Sequence, residues 1–581
     1  MASACTLEWA PDSLYNTAVS AVVNSYGVHR KELKTLPEDV QFDVYYMLYN
    51  KGMLNTLFNE FSQIEVFARV LRVSNKRTLL HHCFQALMDR GSEFTQKISC
   101  ALATAFKNHL TPQCLSDQAS RVKGLNLGFA LGCFLAEAGW LTESEHVYEV
   151  CYKAVKHDDS EAGLFRALEY CVRMLHVENA NCRYSKAKRV CTEAFSLAER
   201  LAQKGISFNR AVLYSEHSAL LFAQSLYDEA YKACLRALGE LNDSVPARTV
   251  IDVLRQCSKA CVVKREFKKA EILIKLAVHK AREHFGQHHP KYSDALLDYG
   301  FFLLNIDSIS SAVQVYQMVL DIRQAVFGGN NLYVAIACED LAYATYVYEY
   351  SSGKFADARD HADKAINILS QILHPNHLLL SSSKRVKALI LEEIAIDSED
   401  KSLEEKFLLE AQELHLQSLE LARKAFGEKN VQTAKHYGNL GRLYQSMHRF
   451  KEAEEMHQKA IKIKEKLLGP DDYEVALSVG HLASLYNYDM NKFNEAEKLY
   501  YRSISIGKAL FGKSYSGLEY DYRGLLRLYH HTGAHEMAMH YHNVLQEWSQ
   551  LRDQNNTSEV KPLDFDVHDS VENIVSKHFL S

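Results

Sequence analysis

The feature that most constrains the fold of this chain is a sequence pattern of about 42 residues that repeats. Its two clearest copies lie between residues 434 and 512. Each copy has the spacing of two amphipathic helices, with a tight turn at 446–451 in the first copy and at 487–494 in the second. One such helix pair cannot bury its own apolar face, so we expect several pairs to stack on one another.

Small residues recur at one position of the second helix and extend the pattern through most of the chain. They are Ser144, Ala187, Ala230, Ala270, Ala312, Ala358, Ala411, Ala453, Ala496 and Ala538. Two wider gaps in this series place insertions at about residues 348–354 and 397–405. Small residues where helices cross, at a regular period, resemble tetratricopeptide repeats. We therefore predict an all-α fold, an α-solenoid of about ten helix pairs.

The same pattern divides the chain into four predicted regions. Residues 1–52 contain two amphipathic helices, and residues 53–123 form a helical segment that we expect to pack on the solenoid. The solenoid itself spans 124–548. Residues 549–581 form a polar tail with one amphipathic stretch at 567–580.

Composition limits the classes of function. The net charge is −5 and the pI is about 6.6, which predicts no nucleic-acid partner. The sequence has no apolar run long enough for a transmembrane segment and no N-terminal pattern of a signal peptide. The 13 cysteines are scattered without C-x-x-C spacing, which favours reduced thiols and a location in the cytoplasm.

The motifs of catalysis that occur here lack the context that their chemistry requires. Residues 507–514 match the phosphate-binding loop pattern, but we place Gly507 inside a second helix and expect no preceding strand. His535 and His540 are five residues apart, so they point in different directions on a helix and cannot share a metal. We therefore predict a protein that is not an enzyme and has no cofactor or metal.

A solenoid of this kind binds partners along the surface formed by its first helices. We predict that polar residues on this surface bind a peptide, basic ones through a carboxylate and acidic ones through a basic side chain. These residues are Lys384, Lys387, Lys435, Asn439, Arg442, Asn487, Arg523, Arg527, Asp298 and Glu339. The alternative is an ordinary solvated surface that carries charges of both signs.

The first two predicted helices carry two short motifs. Leu14, Ala18 and Val22 follow one another at four-residue spacing after Ser13, and they resemble the box with which substrate receptors of cullin ligases bind elongin C. The following residues Leu36, Pro37 and Val40 resemble the cullin-2 box. The family usually has Cys where this chain has Ala18. The alternative is two packing helices that cap the solenoid.

Long strings of the sequence, among them FDVYYMLYNKG, LLHHCFQALMDRG and NVQTAKHYGNLGRLYQSM, extend this resemblance over most of the chain. They resemble tetratricopeptide-repeat substrate receptors of cullin-2 ubiquitin ligases. The resemblance implies binding to elongin C, elongin B and cullin-2 with its RING protein, and recognition of substrate C-terminal tails of the type Arg-x-x-Gly.

The resemblance also implies binding to the cytoplasmic tail of the amyloid precursor protein, association with microtubules, and a location in cytoplasm and nucleus. The repeats are similar, less closely, to those of kinesin light chain. This similarity supports the alternative function of an adaptor in intracellular transport.

Overall fold

The all-α prediction is confirmed by the structure, a computed structural model in which residues 13–90, 96–350, 352–556, 563, 565 and 570–579 are described. The described residues form 29 α-helices and one 3-10 helix, Ser74–Lys76, and they contain no β-strand. None of these helices combines the length and the apolar composition that a membrane crossing requires.

The chain divides into two compact units. Unit 1 comprises Met1–Val177 and the short segment Val326–Asn331. Its helices are α1 (Leu14–Asn24), α2 (Tyr26–Leu33), α3 (Glu38–Asn50), α4 (Leu54–Phe61), α5 (Ile64–Arg72), α6 (Arg77–Asp89), α7 (Ile98–His109), α8 (Pro112–Ser116), α9 (Gln118–Glu137) and α10 (Leu141–Val155). Aromatic rings fill its core, where Phe134 lies 5.4 Å from Phe67 and 5.0 Å from Phe84 between ring centroids.

Unit 2 comprises Glu178–Ala325 and Leu332–Ser581, and the boundary falls within α11 (Glu161–Ala180). The helices that follow are α12 (Tyr184–Gln203), α13 (Ala211–Ala223), α14 (Tyr227–Gly239), α15 (Ala247–Val263), α16 (Phe267–Phe285), α17 (Pro290–Asn305), α18 (Ile309–Phe327), α19 (Leu332–Tyr348), α20 (Ala356–Ile372), α21 (Leu378–Ile396), α22 (Lys401–Phe426), α23 (Val431–Ser446), α24 (Phe450–Leu468), α25 (Tyr473–Tyr488), α26 (Phe493–Phe511), α27 (Leu518–His531), α28 (His535–Asn556) and α29 (Val571–His578).

The helices of each pair approach each other at the predicted small residues. All ten of these residues are buried, and nine of them are fully buried, with Ala538 still 2% exposed. On the first helix, glycine often faces a ring of the second helix. A Cβ atom on Gly441 would lie 2.7 Å from the ring of His457. Small side chains at these crossings therefore allow the close packing on which the pairs depend.

Glycine ends several of the second helices, as the sequence indicates. Gly469 and Gly512 are the C-caps of α24 and α26, with φ angles of 91° and 85°. The left-handed conformation suits glycine because it has no Cβ atom. Gly507 lies within α26, so the phosphate-loop pattern at 507–514 is the end of a helix.

Turns and helix starts that lie about 200 residues apart contact each other within unit 2. Asn430, the N-cap of α23, donates through Nδ2 to the carbonyl of Gln224 at 3.0 Å. Arg265 forms an ion pair of 3.4 Å with Asp472, the N-cap of α25. The backbone N–H of Ser516 donates to an Asp307 carboxylate oxygen at 2.8 Å. Each contact joins one pair to the pair five positions later, so successive coils of unit 2 touch.

The tail returns to unit 2 at the residues that are described. The ring of Phe565 lies 5.9 Å from that of Tyr299, and the Lys275 ammonium lies 5.3 Å from the Phe565 centroid. Helix α29 buries Ile574 and Val575. Part of the predicted amphipathic stretch, residues 567–569 and 580, lies outside the described residues.

A pair of glycine substitutions within α23 tests the close approach of helices. Gly441→Ala places a methyl group against the buried His457 ring, so we expect a loss of about 1–3 kcal/mol in unfolding free energy. Gly438→Ala is the matched control, because its nearest neighbours, Ala460 and Ser478, lie 3.9 and 4.0 Å away. It should be neutral or stabilising by up to about 1 kcal/mol. Urea unfolding followed by circular dichroism measures both, and equal effects would contradict this packing.

Candidate functional site

Helix α1 presents the predicted elongin C-binding residues on its outer face. Leu14 is 91% exposed, Ala18 is also exposed, and Val22 is half-buried. The opposite face packs inward through Val19 and Val23. The Ser13 side chain accepts a hydrogen bond from the third helical N–H, at 3.1 Å, and so caps the helix. The predicted box is therefore an apolar strip on a well-defined helix.

Polar contacts hold α1 against α3 and fix its rotation. Tyr15 donates through its hydroxyl to Asp43 at 2.7 Å. Lys51 donates to Ser20 Oγ at 2.7 Å and to Asn24 Oδ1 at 2.6 Å. Because these contacts use Tyr15, Ser20 and Asn24, the side chains of the apolar strip take no part in them.

The predicted cullin-binding residues stand at the start of α3. Leu36 is 41% exposed, Pro37 is exposed as the N-cap, and Val40 is half-buried. The side chain of Gln41 donates to the Leu36 carbonyl at 2.6 Å, which fixes this turn. Both motifs thus belong to unit 1 and both offer apolar side chains to solvent.

Two of the predicted peptide-binding lysines lie against second helices instead of on the expected surface. Lys387 of α21 forms ion pairs with Asp363 of α20 at 2.8 Å and with Glu410 of α22 at 2.9 Å. Lys384 donates to Gln417 of α22 at 2.7 Å. Lys387 thus contacts both neighbouring second helices and Lys384 contacts α22, and whether either lysine binds a peptide stays a prediction.

Most of the other predicted charged residues are already paired within unit 2. Their partners, given by distance, are Glu474 for Lys435 at 2.8 Å, Glu393 for Arg442 at 2.5 Å, Arg255 for Asp298 at 2.7 Å, the Ser383 hydroxyl for Glu339 at 2.6 Å, and Glu519 for Arg523 at 2.7 Å. A ligand that bound these groups would first have to replace such contacts, which costs free energy.

The three remaining predicted residues have different surroundings. Asn487 is buried and donates through Nδ2 to the carbonyl of Gly524 at 2.9 Å, so it joins neighbouring pairs. Arg527 is exposed, with its guanidinium 3.9 Å from the centroid of the Tyr488 ring. Asn439 is half-buried in the middle of α23. Whether any of them binds a peptide stays a prediction.

Four residues on three successive first helices form what we call the first-helix cluster: Asp340 and Tyr343 of α19, Arg385 of α21 and His436 of α23. The Arg385 guanidinium lies 5.4 Å from the centroid of the Tyr343 ring. Within the described part of the chain, neither Asp340 nor Arg385 has an ion pair or a side-chain hydrogen bond. Both are half-buried. The cluster therefore holds an acid and a guanidinium whose bonding capacity is unused.

Burial and neighbouring charges set the protonation of the first-helix cluster. Burial, reinforced by the negative charge of Glu339, raises the pKa of Asp340 to about 8. Burial also raises the pKa of Glu339. Burial, together with the positive charge of Arg385, lowers the pKa of His436 to about 3, so this imidazole is neutral at pH 7. Arg385 is thus the cation of the cluster.

Sequence reasoning identified the acidic side of this surface but not Arg385. The signal for Arg385 was weak, because it lies in the run Ser383-Lys384-Arg385-Val386-Lys387, which contains three basic residues. Neighbouring residues on a helix point about 100° apart, so the run alone does not show which one faces the first-helix surface.

Comparison with known proteins finds tetratricopeptide repeats in this chain and relatives that match it over almost its whole length. Tetratricopeptide-repeat models match residues 403–466 and 475–514. Amyloid protein-binding protein 2 of Rattus norvegicus and of Mus musculus are each 60% identical to this chain over 551 residues. The alignment covers 95% of this chain and 94% of each relative. The chain belongs to the amyloid protein-binding protein 2 family. This membership and the predicted tetratricopeptide repeats are thereby confirmed, whereas the role as a cullin-2 ligase receptor stays a prediction.

Two solved structures share partial similarity with this chain. One is described as a kinesin light chain of nearly identical TPR-like repeats from Podosopora anserina, 18% identical, covering 38% of this chain and 97% of its own, with a TM-score of 0.28. Another is a Rap protein complexed with competence and sporulation factor, 14% identical, covering 60% and 99%, with a TM-score of 0.41.

Removing the acid of the first-helix cluster should change how stability depends on pH. The folded pKa of Asp340 lies above its unfolded value, so its contribution to stability is complete below about pH 4 and falls as pH rises to about 8. We expect Asp340→Asn to be more stable than the parent by about 1–3 kcal/mol at pH 8 and to lose this advantage near pH 4.

Chemical unfolding of both proteins at several pH values measures the difference. Asp360→Asn, at an exposed position of α20, is the control and should leave the pH profile unchanged. A gain in the stability of Asp340→Asn that is the same at pH 4 and pH 8 would contradict the raised pKa of Asp340 in the folded protein.

Proposed function

We propose that this protein is the substrate-recognition subunit of a cullin-2/elongin B–C RING ubiquitin ligase. In this role it binds C-terminal tails of the Arg-x-x-Gly type and presents the tail-bearing proteins for ubiquitination and degradation. The observation that carries the recognition step is the unpaired acid and guanidinium of the first-helix cluster, Asp340 and Arg385. The protein itself contributes binding and positioning, and catalysis belongs to the other subunits.

The docking step rests on the exposed strip of α1. Burying a leucine side chain fully is worth about 1.5–3 kcal/mol, so an almost fully exposed Leu14 offers this free energy to a partner. Ala18 is small enough for a partner side chain to approach the helix closely. A hydrophobic pocket on elongin C would cover Leu14, Ala18 and Val22 without disturbing the polar contacts that hold α1 on α3.

The second docking step rests on the turn before α3. Leu36 and Pro37 are exposed beside each other and rigid, since proline fixes its own backbone angle. A rigid apolar turn binds at a low cost in conformational entropy. Cullin-2, seated on Leu36, Pro37 and Val40, would therefore lie next to an elongin C molecule on the same unit.

The recognition step follows from charge complementarity. A terminal carboxylate can accept two parallel hydrogen bonds from the Arg385 guanidinium, whose Cζ lies 5.4 Å from the centroid of the Tyr343 ring. The guanidinium of the tail arginine can pair with Asp340. This pairing favours the ionised form of Asp340, whose pKa is otherwise raised to about 8. Tail affinity should accordingly increase from pH 6 to pH 8.

The name of the two relatives supports a more specific ligand. Rat and mouse amyloid protein-binding protein 2 are named for binding an amyloid protein. We propose that this chain binds the cytoplasmic tail of the amyloid precursor protein as one of its ligands. The protein would act in the cytoplasm and the nucleus, where cullin ligases operate.

Charged substitutions in α1 test the docking step. Leu14→Asp combined with Ala18→Asp should abolish co-purification of elongin C from cytosol, because the apolar strip would bury two carboxylates. Asn16→Asp, an exposed substitution on the same helix, should retain binding. Unchanged circular dichroism shows that the helices persist. Elongin C that still co-purifies with the double variant would rule out this strip.

Substitutions in the first-helix cluster test tail recognition separately. We expect Arg385→Gln to weaken the binding of a fluorescent peptide ending in Arg-Ala-Ala-Gly by at least about tenfold, or about 1.4 kcal/mol. Lys384→Gln, the adjacent lysine that bonds Gln417, is the matched control and should bind normally. Amidating the peptide terminus should weaken binding to the parent but not to Arg385→Gln. Fluorescence anisotropy gives these affinities, and equal losses in both variants would refute the role of Arg385.

A further inference from the structure

A cavity of about 310 Å³ lies within unit 2, where the turn between α11 and α12 meets the start of α21. We propose that this cavity is a binding site for a multiply charged oxyanion of the phosphate class. The proposal is independent of tail recognition. The residues that line the cavity are Asn181, Cys182, Arg183, His374, Asn376, His377, Leu378, Leu421, Lys424 and Ala425.

The charge of the cavity lining favours an anion. Arg183 and Lys424 each carry a positive charge, and no carboxylate is among the ten lining residues. Lys424 also pairs with Glu420 of its own helix at 3.1 Å, on an exposed part of α22. Because two permanent cations face one small space, an anion with more than one negative charge would be stabilised more than a monovalent one.

The start of α21 adds one backbone donor, the N–H of the lining residue Leu378, to this space. The helix has 19 residues, and its N-cap His377 accepts through Nδ1 from the Leu379 N–H at 3.2 Å. The Leu380 N–H donates to the His377 carbonyl at 3.1 Å, so the Leu378 N–H is the first-turn donor that has no partner among the described residues, and the helix dipole places partial positive charge there. Oxyanions bind at such helix starts through such N–H groups.

A buried side chain independently indicates a missing acceptor. Asn181 is only 4% exposed, and its Oδ1 lies 2.9 Å from Nε2 of His377. Because Nδ1 of His377 accepts from the backbone, Nε2 carries the hydrogen and donates to Asn181. The Nδ2 group of Asn181 has no hydrogen-bond partner among the described residues. Leaving such a buried donor unpaired costs about 1–3 kcal/mol, and an anion oxygen in the cavity would remove this cost.

Another asparagine at a contact between successive coils, Asn430, has partners for both ends of its amide group. There, Asn430 donates through Nδ2 to Gln224 and accepts from Gln432 N–H at 2.8 Å, so its amide group is used on both sides. The contact of Asn181 with His377 thus differs from that of Asn430 with Gln224 by a buried donor without a partner, on a residue that lines the cavity. Cys182 beside it contributes no negative charge, since burial raises the pKa of its thiol to about 11.

Calorimetry on the full-length protein tests the site, with inorganic phosphate as the probe and sodium chloride keeping the ionic strength constant. We expect one saturable site per chain that binds phosphate at least tenfold more tightly than acetate. Asn181→Asp keeps the oxygen that accepts from His377 but replaces the Nδ2 donor group with a negative charge. It should weaken phosphate binding by at least tenfold. Arg183→Gln should do the same.

Two exposed lysines provide the matched comparison. Lys424 lines the cavity, so Lys424→Gln should weaken phosphate binding about threefold without affecting folding. Lys232→Gln on α14 should leave phosphate binding unchanged. Circular dichroism identifies variants that do not fold. If Arg183→Gln does not fold, the variants Asn181→Asp and Lys424→Gln decide the outcome. No saturable phosphate site, an equal affinity for acetate, or unchanged binding in Asn181→Asp and Lys424→Gln would overturn the proposal.

Discussion

The close approach of the two helices in each pair is the constraint on which the rest of the structure depends. It requires a small residue such as Ala453 on the second helix, with no exposed surface, and a gap such as Gly441 on the first helix to receive a ring. When these contacts recur in pair after pair, each first helix takes a defined rotation. That rotation decides which polar residues form the shared surface of the first helices.

Most charges on that surface neutralise one another. Arg255 contacts Asp298 at 2.7 Å and Asp252 at 3.0 Å, and Lys291 contacts Asp252 at 2.8 Å. Such networks stabilise and orient the wall but leave little capacity for a ligand. Asp340 and Arg385 are different, since neither has a described ionic partner and both are held by packed helices. The first-helix cluster is therefore the part of this surface that is best suited to bind a charged ligand.

The fold was largely predictable from the sequence, and the candidate site only in part. The ten small residues gave the register of the helix pairs because their burial follows directly from the period. The acids Asp298 and Glu339 were placed on first helices correctly. Lys384 and Lys387 were expected on the first-helix surface, but Lys384 contacts α22 and Lys387 contacts both α20 and α22. The two insertions, at about residues 348–354 and 397–405, interrupt the period before α20 and after α21, and this break removes the register that assigns the faces of α21.

The sequence by itself determined the helical class, the pairing of neighbouring helices and the apolar strip of α1, because these depend on residues within about 40 positions of each other. Only the tertiary structure decided which turn meets which helix start. Asn181 and His377, or Arg265 and Asp472, are about 200 residues apart and come together through the summed rotation of five helix pairs. Small changes in each crossing angle accumulate over that distance, and no local pattern records their total.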